Sequence, residues 1–108
     1  MSILRSIKNE VNQISLDNKV VLFGSRARGD ETKDSDWDIL ILLPAMTEEI
    51  KDKIRDKLYE LELTTDQVIS PIIHSFNGWE NRSVTAIYQI INEEGIEYEV
   101  LQSTVDQV

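Results

Sequence analysis

The chain has 108 residues, 41% of them apolar, a formal charge of −9 at neutral pH and no cysteine. That length fits a single domain over residues 1–108, the acid excess makes a nucleic-acid partner unlikely because it would repel a polynucleotide backbone, and the cysteine count excludes disulfides and thiolate metal sites. The apolar runs VVLF, ILILLP and VISPII are strand length, far short of a membrane span, and MSILRSIKNE lacks the apolar stretch and cleavage site of a signal peptide, so a soluble cytoplasmic protein with no membrane partner is expected.

Ile3, Leu4, Ile7, Val11 and Ile14 recur at helical spacing, predicting an amphipathic helix over 2–16 with Ser2 as its cap. Asp17-Asn18 is a turn, and the nearly all-apolar 19–23 predicts a strand covered on both faces. Gly24 ends that strand, 25–28 suit one helical turn broken by Gly29, and 30–35 is a polar loop. A second strand is predicted over 37–43, ended by Pro44. Thr47 begins a helix with Glu48 and Glu49 in its first turn, where they complement the helix dipole, and with Ile50, Ile54, Leu58 and Leu61 as its apolar stripe. A third strand over 67–74 contains Pro71, which places it at an edge or a bulge. Asn77-Gly78 predicts a turn, a helix from about Ser83 carries Val84, Ile87, Ile90 and Ile91, Gly95 stands at its C-terminal cap, and 96–101 suit a short strand. Two strands joined by a loop pair antiparallel, whereas two joined through a helix lie parallel. The expected fold class is α/β of the mixed α+β kind: a small mixed sheet with core order 1-2-3, flanked by helices.

The chemistry concentrates in GSRARGDETKDSDWD, residues 24–38. Asp36 and Asp38 alternate along an extended segment, so both face the same side, and two carboxylates held together repel unless a cation neutralises them. Nucleotidyl transfer needs such a pair. An attacking hydroxyl displaces pyrophosphate from the α-phosphorus of a nucleoside triphosphate, and Mg²⁺ held by carboxylates and substrate phosphates stabilises the developing charge. Gly24 and Ser25 offer backbone N–H groups and a hydroxyl to the triphosphate. Arg26 and Arg28 add charge in the same loop, with alternation turning at most one of them inward.

With Phe23, Gly24, Ser25, Asp36, Trp37, Asp38 and Ile39 in their places, LFGSRARGDETKDSDWDILILL resembles the signature of the minimal nucleotidyltransferases of the DNA polymerase β-like superfamily. The motif spans about 22–43, and the element order extends the likeness over nearly the whole chain and implies the polymerase β-like fold. The resemblance implies a Mg²⁺-dependent enzyme that moves a nucleoside monophosphate, AMP from ATP before other NTPs, onto a hydroxyl of a protein or small molecule. Gly24 and Ser25 would hold the triphosphate with Arg28 beside them, and Asp36 and Asp38 would ligate the metal. The family expects a third acid on the third strand. No residue of VISPII is acidic, and Asp66 just before it is the nearest candidate for that catalytic and metal-binding role, ahead of Glu60 and Glu62. The resemblance also implies a HEPN-type helical partner in a toxin–antitoxin pair. A second reading follows from the third strand: a catalytically weak or inactive antitoxin-like module that neutralises such a partner by contact.

Simpler roles stand beside these. Trp37 must face away from the acids and suits core packing, Phe76 and Trp79 suit packing under a loop, and His74 suits a polar strand end. Glu48, Glu49, Asp52 and Asp56 suit a solvated helix face.

Overall fold

The computed structural model describes residues 2–99. An apolar residue every third or fourth position makes the first helix, α1 (Ile3–Ile14), one-sided, burying Ile3, Ile7 and Val11. Ser2 caps it as expected, its hydroxyl accepting the Arg5 N–H at 3.1 Å. Strand β1 (Lys19–Phe23) follows, then a single helical turn, α2 (Ser25–Arg28), which Gly29 ends in the left-handed region at φ 85°. Strand β2 (Trp37–Leu43) leads into α3 (Glu48–Thr65), whose N-cap Thr47 accepts the Ile50 N–H at 3.1 Å. Strand β3 (Ile69–Ser75), the short helix α4 (Phe76–Glu80), helix α5 (Ala86–Glu94) and the two-residue strand β4 (Ile96–Glu97) complete the described chain.

The sheet order is β3-β2-β1-β4. Strands β1 and β2 pair antiparallel and β2 and β3 parallel, as their connections require, while β4 adds antiparallel to the free side of β1. The predicted 1-2-3 core is therefore present with one further strand, and Pro71 lies on an edge strand. Both faces are covered, which explains why WDILILL is a continuous apolar run rather than an alternating one. Ile39, Ile41 and Leu43 pack with Ile7, Val11, Ile54 and Leu58 of α1 and α3. Leu40 and Leu42 face the other way and pack with Phe23, Trp79 and Ile91, the last two from α4 and α5.

Three expectations change. Asn77-Gly78 is not an open turn: Ser75 accepts the Gly78 N–H at 2.9 Å and caps α4 around it. Helix α5 begins at Ala86 with Thr85 as its cap, so Val84 lies before the helix and is 92% exposed. Gly95 does cap α5, in extended rather than left-handed conformation, and the role of its small size is contact: a Cβ would meet Ile91 O at 2.5 Å and Val21 Cγ1 at 2.8 Å. The predicted final strand is described only as far as β4, and residues 100 and 101 lie outside the described residues.

Candidate active site

The end of β1 meets the start of β2 at the sheet margin, on the face covered by α4 and α5. Phe23 pairs with Asp38 across the antiparallel ladder, and Ser70 pairs with Asp38 from the parallel side. Gly24 follows at φ 77°, ψ −159°, a conformation open to little but glycine. A Cβ there would lie 2.1 Å from Asp38 Oδ2, so the backbone of the glycine-serine turn packs directly on that carboxylate. Asp36 stands one residue before β2 and accepts the Ser70 hydroxyl at 2.9 Å. The turn, Asp36 and Asp38 thus converge at one sheet corner, and Ser70 joins them from β3.

Partial burial pushes the Asp38 carboxyl above its ordinary range, the neighbouring Asp36 charge adds to the shift, Arg28 opposes it, and Glu94 contributes further in the same direction as burial. A half-buried acid kept short of countercharge suits a cation. Two oxygen-donor carboxylates fit Mg²⁺, which completes its shell with water and substrate phosphates instead of a closed protein cage. Among the described residues, no group of three or more His, Cys, Asp or Glu could hold a metal by itself.

A nucleotidyltransferase domain model matches residues 4–98. The chain belongs to the nucleotidyltransferase domain family. The match extends well beyond the motif at residues 22–43 to nearly the whole described fold, and the protein is a nucleotidyltransferase. It is 40% identical over 77 residues to "Putative protein adenylyltransferase MJ0141" of Methanocaldococcus jannaschii, covering 68% of this chain and 78% of that protein. Among solved structures it is similar to a mutant of the toxin–antitoxin MntA-HpeT, with TM-score 0.62 at 20% identity over 98% of this chain and 78% of that one. It is also similar to a toxin–antitoxin with AMP-PNP, with TM-score 0.56 at 20% identity over 92% and 77% of the two chains. At those identities the two structures establish the fold.

Within this nucleotidyltransferase the two loop arginines diverge. Arg26 turns to the Trp37 side, lying 4.2 Å from the ring centroid and donating to Ser35 O at 2.8 and 3.1 Å, so it holds the 30–35 loop. Arg28 turns to the acid side, with Asp30 at 3.3 Å and Glu94 at 3.2 Å. Asp66 closes a helix: it is the exposed C-cap of α3 in the left-handed region at φ 56°, donating its N–H to Glu62 O. His74, four residues beyond Ser70 on β3, meets the Trp79 ring of α4 at 5.7 Å between centroids, away from the acid pair. Two residues escape sequence reasoning. Ser70, in the place opposite Asp38 on β3, is found only once the parallel register is known. Glu94, whose carboxylate accepts the Gly24 N–H at 2.7 Å, lies 70 positions away along the chain and reaches the site through a strand too short to announce itself.

Proposed function

We propose that this nucleotidyltransferase moves AMP from ATP onto a hydroxyl of a protein partner, with Asp36 and Asp38 holding Mg²⁺. The observation that carries the reading is the packing of Gly24 on the Asp38 carboxylate, because it brings the glycine-serine turn and one acid of the pair together, as a triphosphate bound beside a metal would require. In this reading Gly24, Ser25 and Arg28 hold the triphosphate tail, which orients the α-phosphorus toward the incoming hydroxyl. Asp36 is held by the Ser70 hydroxyl and Asp38 by the turn, so both carboxylates are positioned before substrate arrives. A bound Mg²⁺ supplies charge stabilisation for the phosphoryl oxygens and the departing pyrophosphate. AMP transfer to a protein is supported by the adenylyltransferase relative, and a partner protein by the toxin–antitoxin fold neighbours, while its HEPN type rests on the signature's resemblance alone.

A second reading draws on β3. Ser70 stands where an acid is expected and cannot take a proton from the acceptor as a carboxylate would, which favours an antitoxin-like module of low turnover that neutralises its partner by contact. Labelled-ATP transfer to a co-expressed neighbour protein separates the two. The enzyme reading expects label on the partner that falls by roughly a thousandfold in Asp36→Asn/Asp38→Asn, reflecting the several kcal/mol a metal site contributes. Neutralisation without labelling supports the contact reading, and labelling that survives the double substitution eliminates the metal-acid assignment.

A further inference from the structure

Glu94 closes α5 and faces Gly24 across the β1–β4 edge. Its Oε2 accepts the Gly24 N–H at 2.7 Å and lies 3.2 Å from Arg28 Nη1, and its Oε1 lies 3.3 Å from the same nitrogen. Only 19% of the side chain is exposed. A carboxylate gripped by a backbone N–H and a guanidinium makes the same charge-assisted bonds a phosphate would make there. The bond to Arg28 is exposed and that to Gly24 part-buried, and the close fit of Gly95 against Val21 and Ile91 presses the end of α5 onto β1 and sets where the Glu94 backbone lies.

We infer that Glu94 is a built-in anion that occupies the donors of the phosphate-binding turn, and that the triphosphate tail of the nucleotide must displace it to bind. The inference rests on the reading of Gly24 and Arg28 as phosphate donors. Gly24 has one N–H, so it cannot serve Glu94 and a phosphate oxygen at full strength together. A triphosphate entering beside Glu94 would also meet its negative charge with little water between them. The negative charge of Glu94 bears on Asp38 as well, so its withdrawal also relieves that carboxylate. Glu94 thereby sets the nucleotide concentration at which the site fills.

Calorimetric titration of the full chain with AMP-PNP and Mg²⁺ tests this. Glu94→Ala is expected to tighten binding about tenfold, the worth of one charge-assisted hydrogen bond. Glu93→Ala makes the same charge change one residue away on an exposed position, and a gain below about twofold is expected from a distant screened charge. Adding Arg28→Ala to Glu94→Ala is expected to cancel the gain. Unchanged or weaker binding in Glu94→Ala while the wild type binds overturns the displacement and leaves the nucleotide site standing. An equal gain from Glu93→Ala overturns it too, since bulk charge would then suffice. If neither the wild type nor any variant binds AMP-PNP, the nucleotide reading and the displacement fall together. Should Glu94→Ala melt early, Glu94→Gln keeps the side-chain length while removing the charge. A gain of about threefold is expected from it, between the neutral and charge-assisted values, and none overturns the inference.

Discussion

Gly24 answers two demands that no other residue meets together. Its backbone occupies a region closed to side chains, and the space beside its Cα is filled by a carboxylate. Gly24→Ala is therefore expected to lower stability by about 2–3 kcal/mol, from backbone strain and displaced Asp38, and to abolish nucleotide transfer; denaturant melts and the labelling assay read the two effects. Asp38 behaves in the opposite sense. Its carboxyl titrates higher in the folded chain than in the unfolded one, so the stability it contributes is complete below the unfolded value and is lost as pH rises through the folded value. As pH rises toward neutral the wild type loses that contribution, whereas Asp38→Asn retains a neutral side chain. The variant is expected to melt about 1–3 °C higher at pH 7, and the gap is expected to close below about pH 4, near the unperturbed aspartate value. A lower melting point for the variant at pH 7 would mean that Asp38 supports the unliganded fold.

At the scale of elements, the register of β2 and β3 decides what the corner lacks. Ser70 is directly opposite Asp38 and already bonded to Asp36, so Ser70→Asp would add a third carboxylate to the pair. Without metal the extra charge should destabilise the sheet corner. With Mg²⁺ it should complete a tighter ligand set, so the variant is expected to melt lower than wild type in chelator and to recover about 1–2 kcal/mol more than wild type on adding Mg²⁺. No differential recovery would place Ser70 outside reach of the metal. The strands themselves are legible because their sequences are continuous apolar runs bounded by Gly24 and Pro44, and the antiparallel and parallel pairings follow from what connects them. The start of α5 is not legible, since Val84 continues the apolar spacing although Thr85 caps the helix one residue later. The acids are visible as a local pattern. Their two further neighbours are not, because Ser70 and Glu94 arrive through register and a two-residue strand rather than through spacing along the chain.

For the molecule as a whole, the charge of −9 opposes any anionic nucleotide. In the proposed reading the two-carboxylate site, with no self-sufficient group of three acids among the described residues, makes metal and nucleotide depend on one another. At matched ionic strength, Mg²⁺ alone and ATP alone are each expected to shift the melting temperature little. Together, at about a hundred times the dissociation constant, they are expected to stabilise the protein by about 2.7 kcal/mol. Thermal melts across the four conditions check this, and additive shifts would argue for two independent sites. No helix among the described residues is long and apolar enough to cross a membrane.

The outer strand of the sheet has a consequence for how these molecules meet in a crowded solution. Trp37 donates its N–H to Val68 O, so the alternate backbone groups of β3 from Ser70 onward turn inward to β2, and those of Ile69, Pro71 and Ile73 turn outward. Pro71 has no proton to offer there. A stray strand seeking to zip onto this margin finds a gap in the middle of its template, which guards an otherwise apolar edge against growth into fibres.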